Sequence, residues 1–457
     1  MAIIRPFRGF LYNREKIENP LLVVAPPYDV ITSSEQNQYY EKNPYNIIRL
    51  ILGKEDPSDS ESDNKYTRAA NFFSAWKKEG ALSESPNPSI YFYTQDYQLP
   101  DGKTLQRKGF ICRVKLEEFS SGIVRPHEKT LSRPKADRFN LMKACGANFS
   151  PIFSIYSDPA RTIEQIDLTQ TRSPYFDITD ENGIRNQLWV VDDSEIISVV
   201  LNVIEDKNLL IADGHHRYET ALNYRNFMRE QRLDFSEDAG FNYTMTYLTN
   251  MNDAGLVILP THRLVKDVNF DLSQFIERAR KYFHIETIPT DPEKDNAIRK
   301  KILTGMNKEG KINYLFAMVC KGQDSYFVFR LKDDGVLDDF MDKNISPAMR
   351  HLDTNILEAL VFNHLMEISC NDPKYEECFK FIRSDDEAVQ LVTAGEYDVA
   401  FLINPTRIEQ VNEIVAQGEK MPQKSTFFYP KLLSGLVINQ IDSEEKTSSG
   451  NKDGKAL

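Results

Sequence analysis

The stretch Leu209-Leu210-Ile211-Ala212-Asp213-Gly214-His215-His216-Arg217-Tyr218-Glu219-Thr220 constrains the fold more than any other part of this chain. Residues 209–212 are an apolar run of strand length, and Asp213-Gly214 is a turn pair. A helical pattern then carries Ala221, Leu222 and Tyr224 to one side. The prediction is strand, tight turn, helix. Such a turn leaves Asp213 at the end of a buried strand. It also aims the free N–H groups of the helix's first turn at whatever sits in front of them. An anion suits that position, and a phosphate suits it best. Cations at a helix N-terminus weaken the helix, so His215, His216 and Arg217 point to a use other than helix stability. The bland alternative is one packed histidine and one solvated one.

The rest of the composition limits what that anion belongs to. A net charge of -12 over 457 residues offers no global basic field to release phosphate counterions, which argues against nucleic acid as a partner;. With 41% hydrophobic and 27% charged residues the chain reads as a soluble globular protein long enough for two or three domains;. Cys112, Cys145, Cys320, Cys370 and Cys378 are odd in number and lack paired spacing, which suits a reducing cytoplasm without zinc knuckles or disulfides;. The first residues show no apolar signal core, and no run approaches the roughly 20 apolar residues of a membrane span. The expected location is therefore cytoplasmic, with no membrane partner.

Taken in order, residues 1–84 form an N-terminal segment that contributes to the cleft. There an apolar run ends at Pro26-Pro27 and delivers Tyr28 and Asp29, either to a site or as a turn in which Asp29 caps the next helix;. Residues 53–65 are acidic and serine-rich and read as a loop, followed by a helix with Ala69, Phe72, Phe73 and Trp76 on one face;. Residues 85–235 form the expected core. It opens with a hairpin turned at Pro100-Asp101-Gly102 and continues into Arg125-Pro126-His127-Glu128-Lys129-Thr130 and Arg133-Pro134-Lys135-Ala136-Asp137-Arg138;. The two prolines predict loop for most of this region, with a short helix over 139–144. Loops of mixed charge line clefts, though a solvated salt-bridge cluster is the plainer reading. Residues 236–440 read as a C-terminal α+β part, ending in a motif where Lys424 and Lys431 bracket Ser425 and Thr426. Residues 441–457 read as a disordered tail;.

The P-loop, dinucleotide-binding and nucleophile-elbow motifs are all missing, so phosphate has to be held another way;. Asp213-Gly214-His215-His216-Arg217, following a strand and opening a helix, resembles the signature of the ParB/sulfiredoxin-like fold, and in particular of its free-serine kinases. Arg125-Pro126-His127-Glu128 matches their upstream glutamate segment. The wider set, Ala25-Pro26-Pro27-Tyr28-Asp29-Val30, the Pro-Lys-x-Asp-Arg run and the Lys-Ser-Thr-x-Phe-x-Pro-Lys ending, resembles a bacterial family catalogued as domain of unknown function number one thousand and fifteen.

These resemblances imply a mixed α/β (α+β) fold with a ParB/sulfiredoxin-like core and additional N-terminal and C-terminal α/β parts. They imply a phosphotransferase acting on a small hydroxylated metabolite with ADP or ATP and Mg2+, and they include a homodimer among the expected partners. In this reading Glu128, Asp213 and His216 are catalytic, and Asp213 holds the metal. Gly214, His215, Arg217, His127, Arg138 and Lys424 bind the nucleotide;. Two other classes stand beside it. One is a metal-dependent hydrolase or phosphatase built on His127, His215, His216 and Asp213 with Glu128 activating water, and the other is a nucleotide-sensing module without turnover.

Overall fold

The computed structural model describes residues 1–99, 102–130, 132–170, 172–231, 234–268, 270–291, 293–369 and 372–441. Pro100, Asp101, Cys370 and the expected tail from residue 442 lie outside them. The chain divides into two compact units. One holds residues 1–125, 131–255 and the stretch from 430 onward, and the other holds 126–130 and 256–429. Among the described residues no helix is long and apolar enough to cross a membrane.

The first unit is built on a mixed sheet that is nine-stranded among the described residues. Its strands are β1 (Ile4–Arg5), β2 (Ile90–Gln98), β3 (Thr104–Lys115), β4 (Val124–Pro126), β5 (Ile152–Tyr156), β6 (Phe176–Thr179), β7 (Arg185–Val191), β8 (Leu209–Asp213) and β9 (Tyr243–Asn250). The spatial order is β4-β8-β5-β9-β3-β2-β7-β6, with β1 pairing β3. The β2–β3 hairpin has the register its alternation predicts, and β5 runs parallel to β9 while antiparallel to β8. The apolar run at 209–212 is buried because it is an inner strand of this sheet;.

The helices of this unit are α1 (Lys65–Lys78), α2 (Ser132–Cys145), α3 (Ser194–Ile204) and α4 (His215–Gln231). A capping box between Asn64 and Thr67 starts α1, which buries Ala69, Phe73 and Trp76 as its spacing predicts;. One face of the sheet carries a core of Phe92, Phe110, Trp189, Ile211, Tyr218 and Leu222 among others. The short helix expected over 139–144 is in fact α2, which begins at Ser132. Pro134 falls in its first turn, where a missing N–H breaks no helical bond, so the proline does not mark a loop.

The second unit has its own sheet: β10 (His262–Val265), β11 (Phe283–Pro289), β12 (Leu315–Cys320), β13 (Ser325–Leu331), β14 (Phe379–Ile382) and β15 (Val399–Ile403). It is antiparallel throughout, in the order β11-β13-β12-β15-β10-β14, with an apolar cluster on each face. One helix of this unit is wound as α over Asp353–Ile356 and as π over Leu357–Met366. The fold class is mixed α/β, as expected.

Candidate functional site

The strand-turn-helix is present with β8 ending at Asp213 and α4 opening at His215. Between them Gly214 has φ +90, a left-handed conformation that glycine adopts without strain, and a Cβ there would stand 3.0 Å from the Arg217 guanidinium;. The pairing of β8 with β5 slips between Ile211 and Asp213, a bulge that turns the end of the strand away from regular register. Bulges of this kind re-aim a side chain.

Asp213 is aimed at two cations. Arg217 Nη2 donates to its Oδ2 at 2.6 Å, and the Lys431 ammonium donates to its Oδ1. All three side chains are largely buried, at 15, 12 and 16% exposure for Asp213, Arg217 and Lys431. Burial alone would raise the Asp213 carboxyl, but the Lys431 and Arg217 charges outweigh it and hold the group well below the usual carboxylate range;. Arg217 also donates to the Pro151 carbonyl.

Lys431 reaches Asp213 because the backbone around it is pinned to the middle of the sheet. Arg107 Nη2 donates to the Pro430 carbonyl at 2.7 Å, and Gln95 Nε2 donates to the Lys431 carbonyl at 3.1 Å. Gln95 and Arg107 face each other across β2 and β3 and are both buried.

Arg217 forms one wall of a cleft that Tyr28, Arg138, Asn148, Ser150 and Thr220 also line. The double proline thus delivers Tyr28 to this cleft. Its ring lies 4.0 Å from the Arg138 guanidinium carbon, and Asp29, which is exposed, does not cap the next helix. That cap is Thr32, in a capping box with Glu35. Burial and Asp29 push the Tyr28 phenol above its ordinary value while Arg138 and Arg217 pull it down. Arg138 lies on a helix, not a loop. Its Nη1 donates to the Ile51 carbonyl at 2.6 Å and its Nε to Asp137 at 2.9 Å. Burial would raise Asp137, but Arg138 and Lys65 hold it down at about 2.

His215 is buried, and His216, on the same first turn, is half-buried. Lys135 of α2 pairs with Glu219 of α4 at 2.7 Å, so the Pro-Lys-x-Asp-Arg run and the Asp-Gly-His-His-Arg helix are tied together.

The remaining expected residues lie in the second unit. His127 is fully buried, with Nε2 2.7 Å from the Thr426 hydroxyl. Glu128 accepts the Ser425 N–H at 3.2 Å and pairs in parallel register with Met421. Lys424 is exposed and left-handed at φ 60, and its carbonyl accepts from Arg263 at 3.2 Å. Of the two lysines that bracket the hydroxyls, it is Lys431 that meets Asp213.

The metal expectations fare differently. Both Asp213 oxygens are held by cations, and among the described residues no group of three or more His, Cys, Asp or Glu side chains that could hold a metal comes together. The residues present do not fit a resident metal at Asp213. Within the first unit His215, His216 and Asp213 form no such group.

Sequence reading missed Gln95 and Arg107, which sit among other polar residues, Thr94 and Asp96 on one strand and Gln106 and Lys108 on the other.

The model of the family described as "Protein of unknown function (DUF1015)" matches residues 4–355. No curated protein matches the sequence. Among solved structures, a mutant of free serine kinase in complex with ADP is similar at 14% identity over 67% of this chain and 84% of that one, with a TM-score of 0.32. A conserved hypothetical protein from Pyrococcus furiosus is similar at 14% identity over 67% and 87%, with a TM-score of 0.30. SbnI with a C-terminal truncation, from Staphylococcus aureus, is similar at 10% identity over 72% and 87%, with a TM-score of 0.34. Likenesses of this size leave the site to be argued from its own geometry.

Proposed function

The chain belongs to the DUF1015 family, and from that premise and the site's geometry we propose that it is a kinase-type phosphotransferase whose first unit grips nucleotide phosphates beside the first turn of α4. The reading includes a ParB/sulfiredoxin-like character for the core that presents this turn. One observation carries it: Tyr28, Arg138, Ser150 and Arg217, from segments far apart in sequence, line a single cleft.

The charge of the cleft favours an anion. Its charged lining residues are Arg138 and Arg217; they pair with Asp137 and Asp213, and each of those carboxylates also meets a second cation, Lys65 or Lys431, beside a helix first turn whose dipole is positive as well;. Asp213 is therefore a positioning residue. It holds the Arg217 fork and the Lys431 ammonium in place, so the ligand meets charges that are already ordered. Asp213 and the Pro151 carbonyl use two of the five guanidinium hydrogens of Arg217, which leaves donors for phosphate oxygens;. The transferred group passes from the nucleotide's terminal phosphate to the hydroxyl of a small metabolite. Serine is the first acceptor to test, on the strength of the Asp-Gly-His-His-Arg resemblance.

Titration calorimetry with ADP and ATP tests the grip. Replacing Arg217 by Ala weakens binding by about 1.5–3 kcal/mol if the contact is charge-assisted, and Arg138→Ala weakens it as well. Unchanged affinity in both variants removes the cleft from the nucleotide site. Phosphorus NMR of wild-type protein with nucleotide and L-serine, or a panel of small hydroxy metabolites, tests transfer. Nucleotide binding with no phosphorylated product reduces the protein to a sensing module.

A further inference from the structure

Tyr28 reaches the nucleotide cleft on a strut that the fold fixes along its length. Ala25 pairs with Ser434 through the backbone, accepting the Ser434 N–H at 2.8 Å and donating its own N–H to the Ser434 carbonyl at 3.3 Å. Pro26 and Pro27 then lock φ at two consecutive positions, and Tyr28 opens a single short turn, Tyr28–Val30;. The Ser434 hydroxyl also lies 2.6 Å from that of Ser150, which lines the same cleft. Strut and cleft wall therefore share an anchor, which sets the Tyr28 backbone relative to that wall.

The ring at the end of the strut covers one face of the Arg138 guanidinium, whose edge is already held by Asp137 and the Ile51 carbonyl;. The hydroxyl is used differently. Among the described residues no group bonds it, and it is not closed off from solvent. The charges of Arg138 and Arg217 act on it, and those of Asp29 and Asp137 oppose them. The free volume of the cleft is about 50 Å³, and Ile51, Leu141, Met142, Phe149 and Ile152 form its apolar wall. A space of that size takes a few water-sized groups. One phosphate group enters it, whereas a sugar or a purine ring does not.

We propose that the Tyr28 hydroxyl binds the ligand directly and makes this cleft a subsite for a single terminal phosphate group, with the rest of the nucleotide left outside. The inference rests on the reading of the cleft as a phosphate grip. Three donors meet there from segments far apart in the chain. They are the Tyr28 O–H and the guanidinium N–H groups that the existing partners of Arg138 and Arg217 leave over;. A terminal phosphate has an oxygen for each donor, and a carboxylate has only two. The phenol adds what the guanidinium groups lack, a donor with no partner to share. The apolar wall keeps water from competing for these contacts, which strengthens each of them.

The test uses the full chain made with tyrosine carrying carbon-13 at Cζ. The signal missing from Tyr28→Phe identifies residue 28 among the 21 tyrosines. ADP and inorganic pyrophosphate are titrated separately, with adenosine as the control. Both anions are expected to move the Tyr28 signal saturably, at the midpoint calorimetry gives, and adenosine to leave it in place. Tyr28→Phe keeps the ring over Arg138 and loses only the hydroxyl, so it is expected to weaken both anions about tenfold, and Tyr28→Leu to weaken them further. Circular dichroism identifies variants that keep the fold. A bound anion that leaves the Tyr28 signal unmoved overturns the proposal, as does wild-type affinity in folded Tyr28→Phe or a signal that adenosine moves. Pyrophosphate binding through Tyr28 without any ADP binding supports this subsite and removes the nucleotide reading, and binding of neither anion removes both.

Discussion

Replacing Asp213 by Asn tests the electrostatic centre of the first unit. The substitution keeps the shape and leaves Arg217 and Lys431, at 12 and 16% exposure, without their shared anion. Breaking a buried ion pair from one side costs about 3–5 kcal/mol, because the remaining charge stays desolvated. Asn still accepts one neutral hydrogen bond, which sets the expectation at the lower end, about 3 kcal/mol. Both tryptophans belong to the first unit, so urea unfolding followed by their fluorescence reports on it. With a slope of about 1–3 kcal/mol per molar urea, the midpoint falls by roughly 1–3 M.

Two further readouts separate this account from a generic loss of packing. Phosphate or ATP, which supplies the missing negative charge, restores more stability to the variant than it adds to the wild type. The pH profile gives the second. The folded carboxyl of Asp213 is held below its ordinary range, so its contribution is fully present above the unfolded value near pH 3.9 and disappears as pH falls through the lower folded value;. The gap between wild type and Asp213→Asn is therefore constant from pH 8 to about 5 and closes below about pH 4. A loss smaller than about 1 kcal/mol at neutral pH and low salt, or a gap that persists in acid, refutes the reasoning.

Gly214→Ala forces a side chain into φ +90 and against the Arg217 guanidinium; a loss of about 1–3 kcal/mol in unfolding free energy is expected, and a wild-type value would show that the turn relaxes freely. In the second unit, burial holds His262 down at about 4, and its Nδ1 accepts the Ile403 N–H at 3.2 Å. The unfolded chain takes up a proton below about pH 6.5 that the folded one refuses, so stability drops by up to roughly 3 kcal/mol between pH 6.5 and 4, and His262→Gln flattens that slope in pH-dependent denaturation. Glu128→Gln, if that carboxylate takes the acceptor proton, lowers turnover by roughly 10²–10⁴ while nucleotide affinity measured by calorimetry stays nearly intact; a matching loss in affinity would give Glu128 a binding role instead.

What could be read without coordinates was whatever is written locally. The run 209–220 announces strand, turn and helix within twelve residues, because burial period and turn chemistry are both short-range;. Pro134 misled for a local reason as well, since a proline inside a pattern and one in a helix's first turn look alike until the helix start is known;. The distant partner of Asp213, Lys431, was not legible by any local rule. Lys424 and Lys431 sit in the same motif with similar neighbours, yet one is exposed in the second unit and the other pairs across 218 positions in the first. A lysine carries no address of its own. Here the address lies in Gln95 and Arg107, placed opposite each other on adjacent inner strands. Burying such a pair is costly unless it has backbone to hold, and what it holds is Pro430 and Lys431;. Such a buried polar pair marks where a distant segment docks on the sheet, and its polar sequence neighbours hide it from a local reading. It also explains why residues 430 onward join the first unit even though the 174 residues before them, 256–429, belong to the second.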